Sequence, residues 1–280
     1  MHSIQIPSGL VGPGSQPTEE DGAALDYLPM PTTMGTYEPP SLPEPEALPA
    51  LAPALALLEL LQAALAAQRV ADPPVVLNLA LLDADNREFL EQTLGDGEVS
   101  ALVAGREAAR VQETRLAGVW WVRPVAGGDY LEVADLPALV RASAFHAAAN
   151  QARLPVPLPA GVMNAPGVLA EVNAQVASRE GGEPPHIVNL TLLPQTPEDL
   201  VCLAASLGAG PVTLLSRGYG NCRVAATGVR HCWRVQHYNS QEALILDSIE
   251  ITPAPVSVLA AQEDLEDSAE RLAEILEALR

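Results

Sequence analysis

The sequence predicts an α+β protein of two tandem repeated domains, each a small antiparallel or mixed sheet with helices packed on it. The main observation is a duplication. Pro73-Pro74-Val75-Val76-Leu77-Asn78-Leu79-Ala80-Leu81-Leu82 returns 111 residues later, without a gap, as Pro184-Pro185-His186-Ile187-Val188-Asn189-Leu190-Thr191-Leu192-Leu193. The match continues both ways. Leu58, Leu61, Ala63 and Leu65 fall on Leu169, Val172, Ala174 and Val176, and Thr114, Trp120 and Val122 fall on Thr227, Trp233 and Val235. A second observation is periodicity: in each copy a helical apolar stripe is followed by extended apolar runs. A third is length, since 280 residues suffice for two domains that each bury a core without disulfides.

Residues 1–50 read as a disordered, acidic, Pro-rich tail, too poor in apolar area to offset the chain entropy lost on folding. Within it, Leu28-Pro29-Met30-Pro31-Thr32-Thr33-Met34-Gly35-Thr36-Tyr37 reads as linker, or as a peptide that docks on a partner or on the second domain. The first repeat spans 51–150, a linker 151–163, and the second repeat 164–256.

Each repeat opens with a helix, Ala54 to Arg69 and Pro166 to Arg179, whose Leu58, Leu61 and Leu65, or Leu169, Val172 and Val176, form one apolar face. A Pro-Pro pair bars its continuation and leads into the runs Val75 to Leu82 and Ile187 to Leu193. Thr196-Pro197-Glu198-Asp199 then supplies a capping hydroxyl, a first-turn proline and acids for a short helix that Gly208 closes. Strands follow at Val212 to Leu215, Arg223 to Ala226, Trp233 to His237 and Leu244 to Ile251, with a turn at Tyr238-Asn239-Ser240-Gln241. Asp135 to Asn150 predicts a helix closing the first copy, and Ala147 through Leu158 loosens into the link. Val258, Leu265, Leu272 and Leu279 recur every seven residues in the C-terminal helix, 257–280, which either docks on the second domain or meets another chain, a second copy included.

A formal charge of −20 and a pI near 4.4 argue against nucleic acid and against an anionic membrane surface. Leu51 to Ala67 carries Pro53, Glu59 and Gln62 and reads as a packed helix, so no stable membrane insertion is expected. Cys202, Cys222 and Cys232 are odd in number and outside any C-x-x-C pair, which points to a reducing compartment. The first residues lack a basic segment and an apolar run, so the expected location is cytoplasmic.

The copies part at one loop. Val103-Ala104-Gly105-Arg106-Glu107-Ala108-Ala109-Arg110 is bland, whereas Ser216-Arg217-Gly218-Tyr219-Gly220-Asn221-Cys222-Arg223 brings two guanidiniums, an amide and a thiol together between flexible glycines. Such forks suit a carboxylate or a chain terminus in a partner. Ser216, Arg217, Gly218, Tyr219, Gly220, Asn221, Cys222 and Arg223, with Trp233, Gln236, Tyr238 and Asn239 on the neighbouring hairpin, are the expected partner contacts. Gly-x-Gly lacks the third glycine of a dinucleotide site, and all 15 basic residues are arginine, so no phosphate-loop lysine exists. Cys222, His231, Cys232 and His237 do not have the spacing of a zinc module. No catalytic residue, metal or cofactor is assigned. The competing readings are a cysteine-dependent enzyme or redox factor acting through Cys222, and a carrier of metal or iron–sulfur clusters acting through Cys222, Cys232 and His231.

Pro211 to Arg223, Trp233 to Ser240 and Leu244 to Ile251 resemble the C-terminal region of the HupH/HyaF hydrogenase expression and formation proteins. Gly12-Pro13-Gly14-Ser15-Gln16-Pro17 and Leu28-Pro29-Met30-Pro31 resemble that family's N-terminal segment. The family's paired tryptophan is Trp120-Trp121 in the first copy but Trp233-Arg234 in the second. The resemblance implies a non-enzymatic accessory protein for maturation of an uptake [NiFe]-hydrogenase. It further implies a dedicated chaperone holding the iron–sulfur small-subunit precursor before export, and leaves open a second maturation accessory protein as partner.

Overall fold

The structure is a computed structural model that describes residues 48–70, 72–180, 182–218 and 220–279. The expectations for the N-terminal tail and for Tyr219 lie outside the described residues.

The chain enters through a short 3-10 turn, Leu48–Leu51, and helix α1, Ala52–Ala67, started by a first-turn proline. Strand β1, Val75–Asn78, and helix α2, Ala84–Leu94, follow; the Asp83 side chain accepts from Asn86 N, and Gly95 closes the helix at φ 56°. Four strands come next: β2, Asp96–Val103; β3, Ala109–Thr114; β4, Val119–Pro124; and β5, Tyr130–Val133. A short helix α3, Ala138–Ala144, ends this series.

Beyond it the element order repeats. Helix α4, Ala165–Ser178, and strand β6, His186–Asn189, lead to helix α5, Pro197–Leu207, with a Thr196/Asp199 capping box and Gly208 at φ 66°. Strands β7, Ala209–Ser216; β8, Asn221–Thr227; β9, Cys232–Tyr238; and β10, Leu244–Ile251 follow. Helix α6, Gln262–Ala278, completes the chain.

Two small sheets were the expectation; one large antiparallel sheet is the finding. Its strands run β1-β5-β4-β3-β2-β7-β8-β9-β10-β6. The join is β2 with β7, Val99 to Val103 pairing with Ser216 to Val212. Separate sheets would leave these two long strands with open edges, and pairing them satisfies both sets of backbone groups. One face carries α1, α2 and α6 over β4 and β5 at one end, and α4 and α5 over β6 and β10 at the other. The opposite face packs α3 and the turn 254–258 across the central strands, around the buried Trp120 and Trp233.

Two further expectations are corrected. The predicted helix 135–150 is confined to α3, and the link beyond it is fastened rather than loose: Ala149 N donates to Gly228 O at 2.7 Å, and Asn173 exchanges two hydrogen bonds with Ala152. The C-terminal helix docks on α1 of the first half, not on the second half, burying Leu265, Leu272 and Leu276. The contact is close: Leu265 lies against Gly118, where a β-carbon would have to push the leucine aside, and the Ser268 hydroxyl donates to Ala117 O; the residue aligned with Gly118 in the second half is His231. Among the described residues one stretch, Leu48–Ala67, is long and apolar enough to cross a membrane by length and composition. Here Leu51, Leu58, Leu61 and Leu65 are buried in the same core as α6.

Candidate functional site

The loaded loop connects β7 to β8, beside the seam of the sheet. Arg217 N donates to Glu98 O of β2 at 3.2 Å, and the Glu98 carboxylate lies directly over Gly218, where a side chain would have to displace it. A residue of the first half therefore shapes the loop of the second. Gly220 has φ 99°, a left-handed conformation that favours glycine.

Strand alternation divides the expected contact residues. Ser216, Cys222 and Trp233 point to the α3 side and are buried, Trp233 donating from Nε1 to Thr252 O at 3.1 Å. Arg223 and Gln236 point to the other face, where Arg223 Nη1 donates to Gln236 Oε1 at 3.2 Å. Gln236 is buried, while Arg223 is partly exposed. Arg217, Gly218, Asn221, Tyr238 and Asn239 are partly exposed and Gly220 is exposed; β-pairing sets Asn221 opposite Tyr238. The Asn239 carboxamide oxygen caps its turn by accepting from Gln241 N and Ala243 N. The structure thus gathers an accessible rim of Arg217, Asn221, Arg223 and Tyr238, with Cys222, Trp233 and Ser216 supporting it from beneath.

Cys222 sits in the core, its Sγ 3.8 Å from His237 Nε2 and 3.9 Å from Ser257 Oγ. Burial pushes its thiol up to about 11, against a smaller lowering by the Ser257 hydroxyl, so the neutral thiol prevails at neutral pH. Burial likewise raises Cys232 to about 11. Among the described residues, no three His, Cys, Asp or Glu side chains gather into a group that could hold a metal ion.

Two participants went unnoticed in the sequence. Glu98 is one, and no local signal marks it. Arg110 is the other; it aligns with Arg223 without a gap and lies on the same sheet face, opposite Leu102 as Arg223 lies opposite Leu215. The duplication itself carried that signal. Arg234, where the first half has Trp121, makes a bidentate pair with Asp247, Nε to Oδ1 at 3.1 Å and Nη2 to Oδ2 at 2.8 Å. Trp121 instead packs in the α1–α2 core with the Arg123 guanidinium 4.6 Å from its ring centroid.

The family profile described as HupH hydrogenase expression protein, C-terminal conserved region, matches residues 51–155 and 162–279. The chain is 51% identical over 281 residues to the hydrogenase expression/formation protein HupQ of Azotobacter chroococcum mcd 1, across 98% of this chain and 97% of that one. It is 48% identical over 282 residues to the hydrogenase expression/formation protein HupH of Rhodobacter capsulatus, covering 100% of both. The hydrogenase-1 operon protein HyaF of Escherichia coli (strain K12) is 34% identical over 281 residues, across 96% of this chain and 95% of that one.

Proposed function

This chain belongs to the HupH hydrogenase expression protein family, and from that premise we propose that it is an accessory chaperone of [NiFe]-hydrogenase maturation. In this reading it works in the cytoplasm, holding the iron–sulfur small-subunit precursor before export and assembly. It is a binding protein and carries out no chemistry of its own. Its architecture is a duplicated α+β unit in which one copy has acquired the contact loop.

The observation that carries the reading is the rim formed by Arg217, Asn221, Arg223 and Tyr238. These are polar, accessible side chains, while the one thiol nearby is buried and held neutral. Guanidiniums positioned beside a planar amide recognise carboxylates and chain termini without chemistry on the client. The burial of Cys222 favours recognition over the redox or cluster-handling alternative.

The test is capture of the full chain from anaerobic cells that are making the hydrogenase, with bound proteins identified by mass spectrometry. Recovery of the small-subunit precursor is the expected outcome. Recovery of the large subunit alone, or of no hydrogenase component while the precursor is present in the lysate, contradicts the reading.

A further inference from the structure

The helices on the face that carries α1 and α4 pack on one another and on the outer strands. Among the described residues no helix covers the middle strands β3, β2, β7 and β8 on this side. Sheet faces that carry apolar side chains are ordinarily covered. Here Leu102, Leu215 and Ala225 lie on the open side, each partly exposed.

The pairing registers fix the pattern. Leu102 is opposite Arg110, Leu215 is opposite Arg223, and β2 and β7 pair directly between them. Across the seam Leu102 faces Thr213 and Leu215 faces Ser100, so the two leucines lie on a diagonal of the open face with one arginine beyond each end. Arg110 is exposed and has no carboxylate partner among the described residues. Arg223 is oriented by Gln236. Strand spacing of about 4.8 Å sets β3 and β8, three steps apart, at roughly 14 Å. An α-helix with its side chains is about 10–12 Å across and fits that interval. A strand does not serve, because the middle strands already pair on both edges and have no free backbone to offer. The cleft beside this face is lined by Glu88, Glu91 and Asp96, which disfavours a partner with acids along its whole length and confines them to the flank positions.

We infer that the open middle of the sheet seats an amphipathic α-helix of a partner protein, its apolar stripe on Leu102 and Leu215 and its flanking carboxylates on Arg110 and Arg223. This rests on the holding role proposed above and gives that role a shape and a charge pattern.

The experiment uses the full chain and two designed helical peptides with the same leucine stripe, one flanked by glutamates and one by arginines, with binding read by fluorescence anisotropy. The glutamate-flanked peptide should bind, weaken at high salt, and lose about tenfold in affinity against an Arg110→Ala/Arg223→Ala variant. An Arg110→Glu/Arg223→Glu variant should turn to the arginine-flanked peptide, a gain that a misfolded protein does not show. The proposal is overturned by equal or better binding of the arginine-flanked peptide to the native chain, by no binding of either, or by binding indifferent to both variants. A dimer that the alanine variant dissolves would overturn it too, by making a second copy the occupant. Failure of the peptides with precursor capture intact removes this seat alone; failure of capture with peptide binding intact removes the hydrogenase client instead.

Discussion

The two halves of the sheet carry the same elements in the same order, and comparing them position by position separates the residues that hold the fold from those that do not. Asn86 and Asp199 are aligned, and each accepts a backbone amide at the start of the helix that opens its half, Ala54 N at 3.0 Å and Ala165 N at 2.9 Å. Thr114 and Thr227 each bond the turn two residues on, and Trp120 and Trp233 each donate an indole N–H to a backbone carbonyl. The differences lie elsewhere. The β7–β8 loop, Arg234 for Trp121, and His231 for Gly118 all fall at the rim of the sheet or on its helix-bearing side. These shared residues build the halves, and the unshared ones at the rim and on the helix-bearing side give each half its own surface: α6 packs on the first and, on our reading, a client meets the second, with Arg110 and Arg223 common to both halves.

The largest predicted effect tests the shared frame where its chemistry differs. Asp199 accepts from Met163, Asn164, Ala165 and Thr196 amides at 2.8–3.1 Å, whereas Asn86, among the described residues, accepts from Ala54 N and donates to Ala50 O and Asp83 Oδ1. Burial would raise the Asp199 carboxyl, but the four amides outweigh it and hold the group well below the usual carboxylate range. Asp199→Ala should therefore cost roughly 3 kcal/mol or more by chemical denaturation, and Asn86→Ala about half of that. A carboxyl with a depressed folded pKa stabilises above its unfolded value near 4 and loses that contribution as pH falls. The Asp199 difference should accordingly shrink below about pH 4, and the Asn86 difference should not. Equal costs with no pH dependence would break the comparison.

A smaller effect belongs to the first half alone. Burial pushes Glu113 up to about 7, with Glu98 and Asp264 adding to the rise and the Gly118 amide opposing it, whereas the aligned residue is Ala226. A raised carboxyl pKa means that stability is full below the unfolded value and is lost as pH rises through the folded one. Between about pH 4.5 and 7 the protein should lose roughly 2 kcal/mol that Glu113→Gln retains, measured by urea denaturation at both ends of the range. Parallel pH profiles for the two proteins would argue that the carboxyl is solvated.

The smallest effect concerns Cys222, aligned with Ala109. Cys222→Ala gives the second half the first half's residue and should cost about 1 kcal/mol as a small core cavity, with precursor binding unchanged. Maturation lost while binding survives would revive the thiol chemistry.

Much of this was legible in the sequence because the duplication supplies an internal alignment. Helix α5 was readable from Thr196, Pro197 and Gly208, since capping is local chemistry, and the α+β class followed from the periodicity on either side of each Pro-Pro pair. The merging of the strands into one sheet was not readable, because the β2–β7 pairing joins residues more than a hundred positions apart and depends on edges the pattern leaves open. The docking of α6 was missed because the surface it meets, at Ala117 and Gly118, lies far away in sequence. At the site, alternation around Trp233 was visible, yet the burial of Cys222 and the reach of Glu98 across the seam depend on the same long-range join.

If the precursor is held on the β7–β8 rim, the side chains that the second half has there and the first half lacks should carry part of the affinity. Arg217→Ala/Asn221→Ala gives the loop the first half's Ala104 and Ala108 while leaving Arg223, which both halves share in kind. The measurement is the affinity of purified small-subunit precursor for this variant and for the native chain, beside their melting curves. The account predicts unchanged melting and binding weakened by about tenfold, as for loss of two rim contacts. A folded variant that binds the precursor as tightly as the native chain would contradict it.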